Sequence, residues 1–166
     1  DKSVVLNVAP NFHLTNNKLI PLSGISNSQT IHCNENGYYS IYQSDRYGFN
    51  NPDSEWDKKE VNILLLGDSF VLGACVNETN TISGNLRKKL NHHEKSILNL
   101  GQAGFGPLSM DAVHREFATN LNINHVFWFF FENNDLKELS RELNDNVLSQ
   151  YYEKNNFKQD LVKFEK

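Results

Sequence analysis

The residue best placed to do covalent chemistry in this chain is a serine at the end of an apolar run. Val61-Asn62-Ile63-Leu64-Leu65-Leu66 leads directly into Gly67-Asp68-Ser69-Phe70. A hydroxyl leaving a buried strand there can point into a crevice, and the turn behind it can aim free N–H groups at developing negative charge. The same position equally suits a serine that N-caps the next helix. Two later segments have the same character. Asn99-Leu100-Gly101-Gln102-Ala103-Gly104-Phe105-Gly106 carries three glycines, which permit left-handed backbone and close approach of a ligand, or simply a flexible turn. Glu132-Asn133-Asn134-Asp135 offers a carboxamide that could also serve as a helix cap. Taken together, a serine, a glycine N–H and an asparagine amide could surround one carbonyl, giving a nucleophile and up to three donors for an oxyanion. The glycine spacing is not the G-x-G-x-x-G dinucleotide fingerprint, and no P-loop lysine follows it.

These residues need a scaffold that gathers strand ends. Val61–Leu66 reads as a strand buried on both faces. Thr81–Leu90 places Ile82, Leu86 and Leu90 on one helical stripe, with Arg87, Lys88 and Lys89 off it near the negative pole. Ser96–Leu100 reads as a second strand. Pro107 opens a helix continued by Met110, Val113, Phe117 and Leu121. Val126–Phe131 is a third strand, too apolar to face water, and Asp135 to about Leu148 is helical again. This alternation implies an α/β fold: a flavodoxin-like, doubly wound parallel sheet whose ligands bind beyond the carboxyl ends of the strands. Residues 1–56 differ. Their short apolar stretches (Val4–Val8, Leu19–Leu22, Tyr38–Tyr42) lie between Asn, Ser, Gly and Pro, as in short strands and loops, so they read as an extension packed on a 57–166 domain. Asp45–Pro52 has turn chemistry around two aromatics and suits a loop capping the core.

Composition narrows the partners. The chain has 166 residues and a net charge of −4, which argues against a domain held to nucleic acid or anionic lipid mainly by charge. No apolar run approaches the ~20 residues of a membrane-spanning helix. Cys33 and Cys75 lie far apart without a C-x-x-C pair, so neither a disulfide framework nor a cysteine zinc site is expected. No metal or cofactor is implied. The chain opens at Asp1 without methionine, an expectation of processing or truncation at the front that leaves its compartment open, as is its oligomeric state.

Gly67-Asp68-Ser69-Phe70 resembles block I of the GDSL/SGNH hydrolases, with Ser69 in the nucleophile position. Gly104 matches the block II glycine, with Gly101 the less favoured register. Asn134 matches the block III asparagine, although Glu132-Asn133 stand where a glycine usually precedes it. Tyr47-Gly48-Phe49-Asn50 and Phe130-Phe131-Glu132-Asn133-Asn134-Asp135-Leu136 are similar to stretches of many bacterial members, so the resemblance covers about Asp45 to Leu136. It implies a bacterial serine esterase or acyl hydrolase in which the Ser69 N–H, the Gly104 N–H and the Asn134 side chain form the oxyanion hole. The implied substrate is a small-molecule, carbohydrate or lipid ester, such as an O-acetylated sugar.

The family's Asp-x-x-His, which supplies the general base, is absent, and no histidine follows His125. His92, His93 and His125 precede strands and fall at the far end of the sheet, and His114 lies well along its helix; His13 and His32 are the remaining candidates. After Leu136 no apolar strand follows, so Val126–Phe131 would form an exposed edge. Both deficits point to the front part of a longer domain, with little activity by itself. The competing readings are a non-catalytic module that binds an acylated glycan, and an O-acyltransferase using the same serine.

Overall fold

The structure, a computed structural model, describes residues 5–6 and 19–164 apart from 36 and 91–93. Its centre is a three-stranded parallel sheet formed by β4 (Glu60–Leu66), β5 (Lys95–Asn99) and β6 (Ile123–Trp128), in the order β5-β4-β6. A second small sheet is built from β1 (Val5–Leu6), β2 (Gln29–Ile31) and β3 (Ile41–Gln43), the first pair parallel and the second antiparallel. The helices are α1 (Ser69–Leu72), α2 (Ile82–Leu90), α3 (Pro107–Phe117), α4 (Asp135–Glu142) and α5 (Leu148–Glu153).

Alternation along β4 explains how the layers form, because successive strand residues face opposite sides. Leu64 and Leu66 join Leu98, Leu100, Val113 and Phe117 in the main core, beneath α3. Ile63 and Leu65 join Ile97 and Val71 on the other face, with Leu86 of α2 packed against them. Helices thus cover both faces. Leu22 and Phe49 enter the main core, so the leading residues supply part of it. Of the short apolar stretches ahead of Trp56, Tyr38–Tyr42 overlaps β3 only at Ile41 and Tyr42, Leu19–Leu22 forms no strand, and β2 lies between them.

Three expectations need correction. Cys33 and Cys75 are joined by a disulfide across 42 residues of sequence. Distance along the chain says nothing about distance in space once the leading hairpin folds back on the domain. In α2 the buried residues are Ser83 and Gly84, while Ile82 and Leu90 are exposed. A Cβ on Gly84 would meet the Glu78 carbonyl oxygen at 2.3 Å, so the helix packs by its small face. Arg87 lies in the last turn of α2, as its place at the negative pole implies, and bonds Glu78, the Asn51 carboxamide oxygen and the Ile97 carbonyl. The helix expected from Asp135 to Leu148 is two helices, separated where Asp145 Oδ1 accepts the N–H groups of Val147 and Leu148.

The third strand spans Ile123–Trp128 rather than Val126–Phe131, and it is the exposed edge that the lack of a later apolar strand implies, although its sequence reads as too apolar to face water. Every residue from Val126 to Phe131 is between 40% and 52% exposed, although the run is apolar throughout. Strand β6 pairs with β4 and has no described strand on its other side. The opposite edge of the sheet is closed: Ile97 N–H donates to Glu55, and the Asn51 side chain pairs with both the N–H and the carbonyl of Asn99. Among the described residues no helix is long and apolar enough to cross a membrane.

Candidate functional site

Chain order reverses about β4, because β5 lies on one side of it and β6 on the other. In parallel α/β sheets that reversal opens a crevice outside the carboxyl ends of the strands. Ser69, Gly104 and Asn134 each stand in the connection following one of these three strands.

The serine is not the cap of its helix. Asp68 holds the N-cap position of α1, and its Oδ1 accepts the Phe70 N–H at 2.9 Å. Ser69 is therefore the first helical residue, half-buried, and no described group hydrogen-bonds its hydroxyl or its N–H. The capping alternative is thereby removed, and the hydroxyl has no visible structural task. Its position is nevertheless firmly set. Asn50 Nδ2 donates to the Leu72 carbonyl at 2.9 Å, and Asn99 Nδ2 donates to the Val71 carbonyl at 2.6 Å. These buried amides satisfy carbonyls that a four-residue helix leaves unpaired. Asn50 belongs to the loop singled out in the sequence. That loop is ordered by Asp45, which takes N–H groups from Tyr47, Phe49, Asn51 and Trp56. Despite those four donors, burial pushes the Asp45 carboxyl above its ordinary range.

The glycines separate clearly. Gly101 is buried, its N–H is given to Asn99 Oδ1, and a Cβ there would meet the Leu72 nitrogen at 2.6 Å. Gly101 is a packing residue. Gly104 is exposed, adopts φ +80°, has open space where a Cβ would project, and its N–H has no described acceptor. Of the two it is the one with a donor to offer. Gly106 gives its N–H to Glu142, whose carboxylate also accepts from Leu108 and Ser109 and so caps α3 from α4.

Asn134 occupies the N-cap position of α4 but makes no side-chain cap bond. Its Nδ2 donates instead to Asp68 Oδ2 at 3.2 Å, and its Oδ1 is buried without a partner. One carboxylate thus holds both the turn around Ser69 and the carboxamide from the next strand end. Asp135, beside it, accepts the Phe131 N–H at 2.7 Å. Burial raises its carboxyl above the usual range, and the neighbouring Asp68 and Glu142 charges add to this.

Ser69 opens on a cleft of about 440 Å³ whose lining includes Phe70, Ala74, Cys75, Thr81 and Ile82. No described histidine lines it. His114 is half-buried on α3 and His125 is exposed on β6, while His13, His92 and His93 lie outside the described residues. His32 is half-buried, and burial lowers its pKa while Glu35 pulls it back up. Among the described residues no group of three or more His, Cys, Asp or Glu side chains could hold a metal ion. Sequence reading had missed Asp68 as the link between two site segments, as well as the disulfide beside the cleft. Nothing local in the sequence marks either one. Comparison with family models, with curated proteins and with solved structures found no match to this chain.

Proposed function

We propose that this chain carries the acyl-transfer half of a serine hydrolase site of SGNH type, on a flavodoxin-like sheet, acting on an ester such as an O-acetylated carbohydrate or a lipid. The observation that carries the reading is that Asp68, not Ser69, caps α1 and bonds Asn134, which leaves the Ser69 hydroxyl unengaged at the mouth of a cleft. In the reaction Ser69 Oγ attacks the ester carbonyl and its proton passes to a general base. The carbonyl oxygen gathers negative charge, which the Ser69 N–H, the Gly104 N–H and the Asn134 amide would stabilise. Collapse expels the alcohol, which takes back the proton, and leaves an acyl-serine. Attack by water releases the acid; attack by a sugar hydroxyl would make the protein an O-acyltransferase, and product analysis separates the two.

One observation favours a second reading. No described histidine lines the cleft, and neither Gly104 nor Asn134 does, so its described lining supplies the Ser69 hydroxyl without a base. Losing the histidine of a serine triad costs about a million-fold in kcat in subtilisin. A non-catalytic module that binds an acylated glycan would keep the donors and need no base. The deciding experiment treats the full-length protein with a fluorophosphonate and with p-nitrophenyl acetate. Labelling at Ser69, and hydrolysis lost in Ser69→Ala, support the hydrolase. Acetylated-oligosaccharide binding by calorimetry, with no turnover and no labelling, supports the binding module.

A further inference from the structure

The cleft beside Ser69 is closed on one side by a piece of the leading segment. Cys75, in the connection after α1, is bonded to Cys33, which stands at the turn between β2 and β3. Ser40 N–H bonds the Cys33 carbonyl at 2.9 Å and His32 N–H bonds the Ser40 carbonyl at 3.1 Å, so the base of that turn is a closed ladder. Glu35, two residues beyond Cys33, lines the same cleft as Ser69, Phe70, Cys75, Val76 and Ile82. Among the described lining residues it is the one ionisable side chain, as the rest is apolar, small or neutral.

We propose that this disulfide-tethered turn is the selectivity wall of the Ser69 cleft, with Glu35 as the residue that excludes esters carrying negative charge next to the reacting carbonyl. The inference rests on the hydrolase reading and deepens it. The substrate class becomes an uncharged or cationic ester, and anionic acyl groups such as succinyl are disfavoured. The physical ground is Coulombic: one carboxylate facing a partly solvated cleft repels a second through an intermediate dielectric. Such repulsion shifts relative rates by about five- to tenfold on charge reversal. The covalent tether matters because the turn has no other covalent link to the domain nearby. Reduction by a dithiol breaks the S–S bond and leaves two thiols, after which the wall is held by hydrogen bonds alone.

The test compares two substrates in the full-length protein: p-nitrophenyl acetate, which is neutral, and p-nitrophenyl hemisuccinate, whose acyl group is anionic. The readout is the ratio of their kcat/KM values, which a merely structural defect lowers for both esters alike and so does not move. Glu35→Lys should raise the hemisuccinate-to-acetate ratio about tenfold, and Glu35→Gln by about a third of that. The Cys33→Ser/Cys75→Ser double variant, and the wild type after dithiothreitol and alkylation, should move it in the same direction as Glu35→Gln. Ser69-dependent hydrolysis with an unchanged ratio, either in Glu35→Lys or in the double cysteine variant, overturns the inference and leaves the hydrolase standing. Hydrolysis that is absent from the wild type, or that survives Ser69→Ala, overturns the hydrolase reading itself.

Discussion

Asp68 bears on both stability and geometry, because one carboxylate takes the Phe70 N–H and the Asn134 amide. Replacing it by alanine removes an N-cap, which costs about 1 kcal/mol in denaturant unfolding. It also frees the carboxamide, so under the proposed mechanism Asp68→Ala lowers kcat more than it raises KM. Under the same proposed mechanism Asn134→Ala removes an oxyanion donor and should lower kcat by about 10²–10³ with a smaller change in KM. His114 gives a different kind of prediction. Burial lowers its pKa below 6.5, since the half-buried imidazole is easier to keep neutral, and Arg115 and Lys158 add to that against the pull of Asp111. The folded state then binds fewer protons than the unfolded one, so stability is full above pH 6.5 and is lost as pH falls from there. His114→Gln should flatten that slope in urea titrations between pH 7.5 and 5.5. That Ser69, Gly104 and Asn134 follow three successive strands was legible in the sequence, because apolar runs ended by glycine or asparagine mark the strand ends. Asp68 was not, since an aspartate after glycine reads the same whether it caps one helix or also reaches across to another strand end.

The strands and helices of the parallel sheet were legible because they are built from near-neighbour patterns. Pro107 opens α3 as the sequence suggests, and Met110, Val113 and Phe117 are buried along it. Local reading missed the inward small face of α2 and the Asp145 turn between α4 and α5, and it had no access to contacts that join elements distant in sequence. The Cys33–Cys75 bond depends on where the β2–β3 turn lies relative to α1, and no local pattern encodes that. Its removal by Cys33→Ser/Cys75→Ser should lower stability by about 2–4 kcal/mol, measured by denaturation with and without reductant. Glu116 is a second such junction. Its carboxylate takes the Tyr151 hydroxyl and the N–H groups of Gln159 and Leu161, fixing α5 and the following turn against α3. Glu116→Ala leaves three buried donors unmatched and should cost about 2–4 kcal/mol. Amide hydrogen exchange should locate the loosening at residues 151–161.

The two edges of the parallel sheet are treated in opposite ways. Along β5 the side chains of Glu55 and Asn51 occupy the outer hydrogen-bonding groups, whereas the run Val126–Phe131, which begins in β6 and continues past its end, leaves six apolar side chains exposed. Phe70 and Leu136, at 67% and 59% exposure, extend that surface around the strand ends. An edge of this kind recruits other strands. The 166-residue chain in isolation should self-associate with rising concentration in sedimentation velocity, and Phe127→Lys should suppress this. The sequence announced this surface through composition alone, while the closure of the β5 edge by side chains from the leading segment could not be foreseen. The tether between the two sheets has one further consequence. Because it spans 42 residues that include the exposed Tyr38 and Tyr39, a chymotryptic nick at those tyrosines severs the backbone yet releases nothing, and the two fragments migrate together on a gel until a thiol is added.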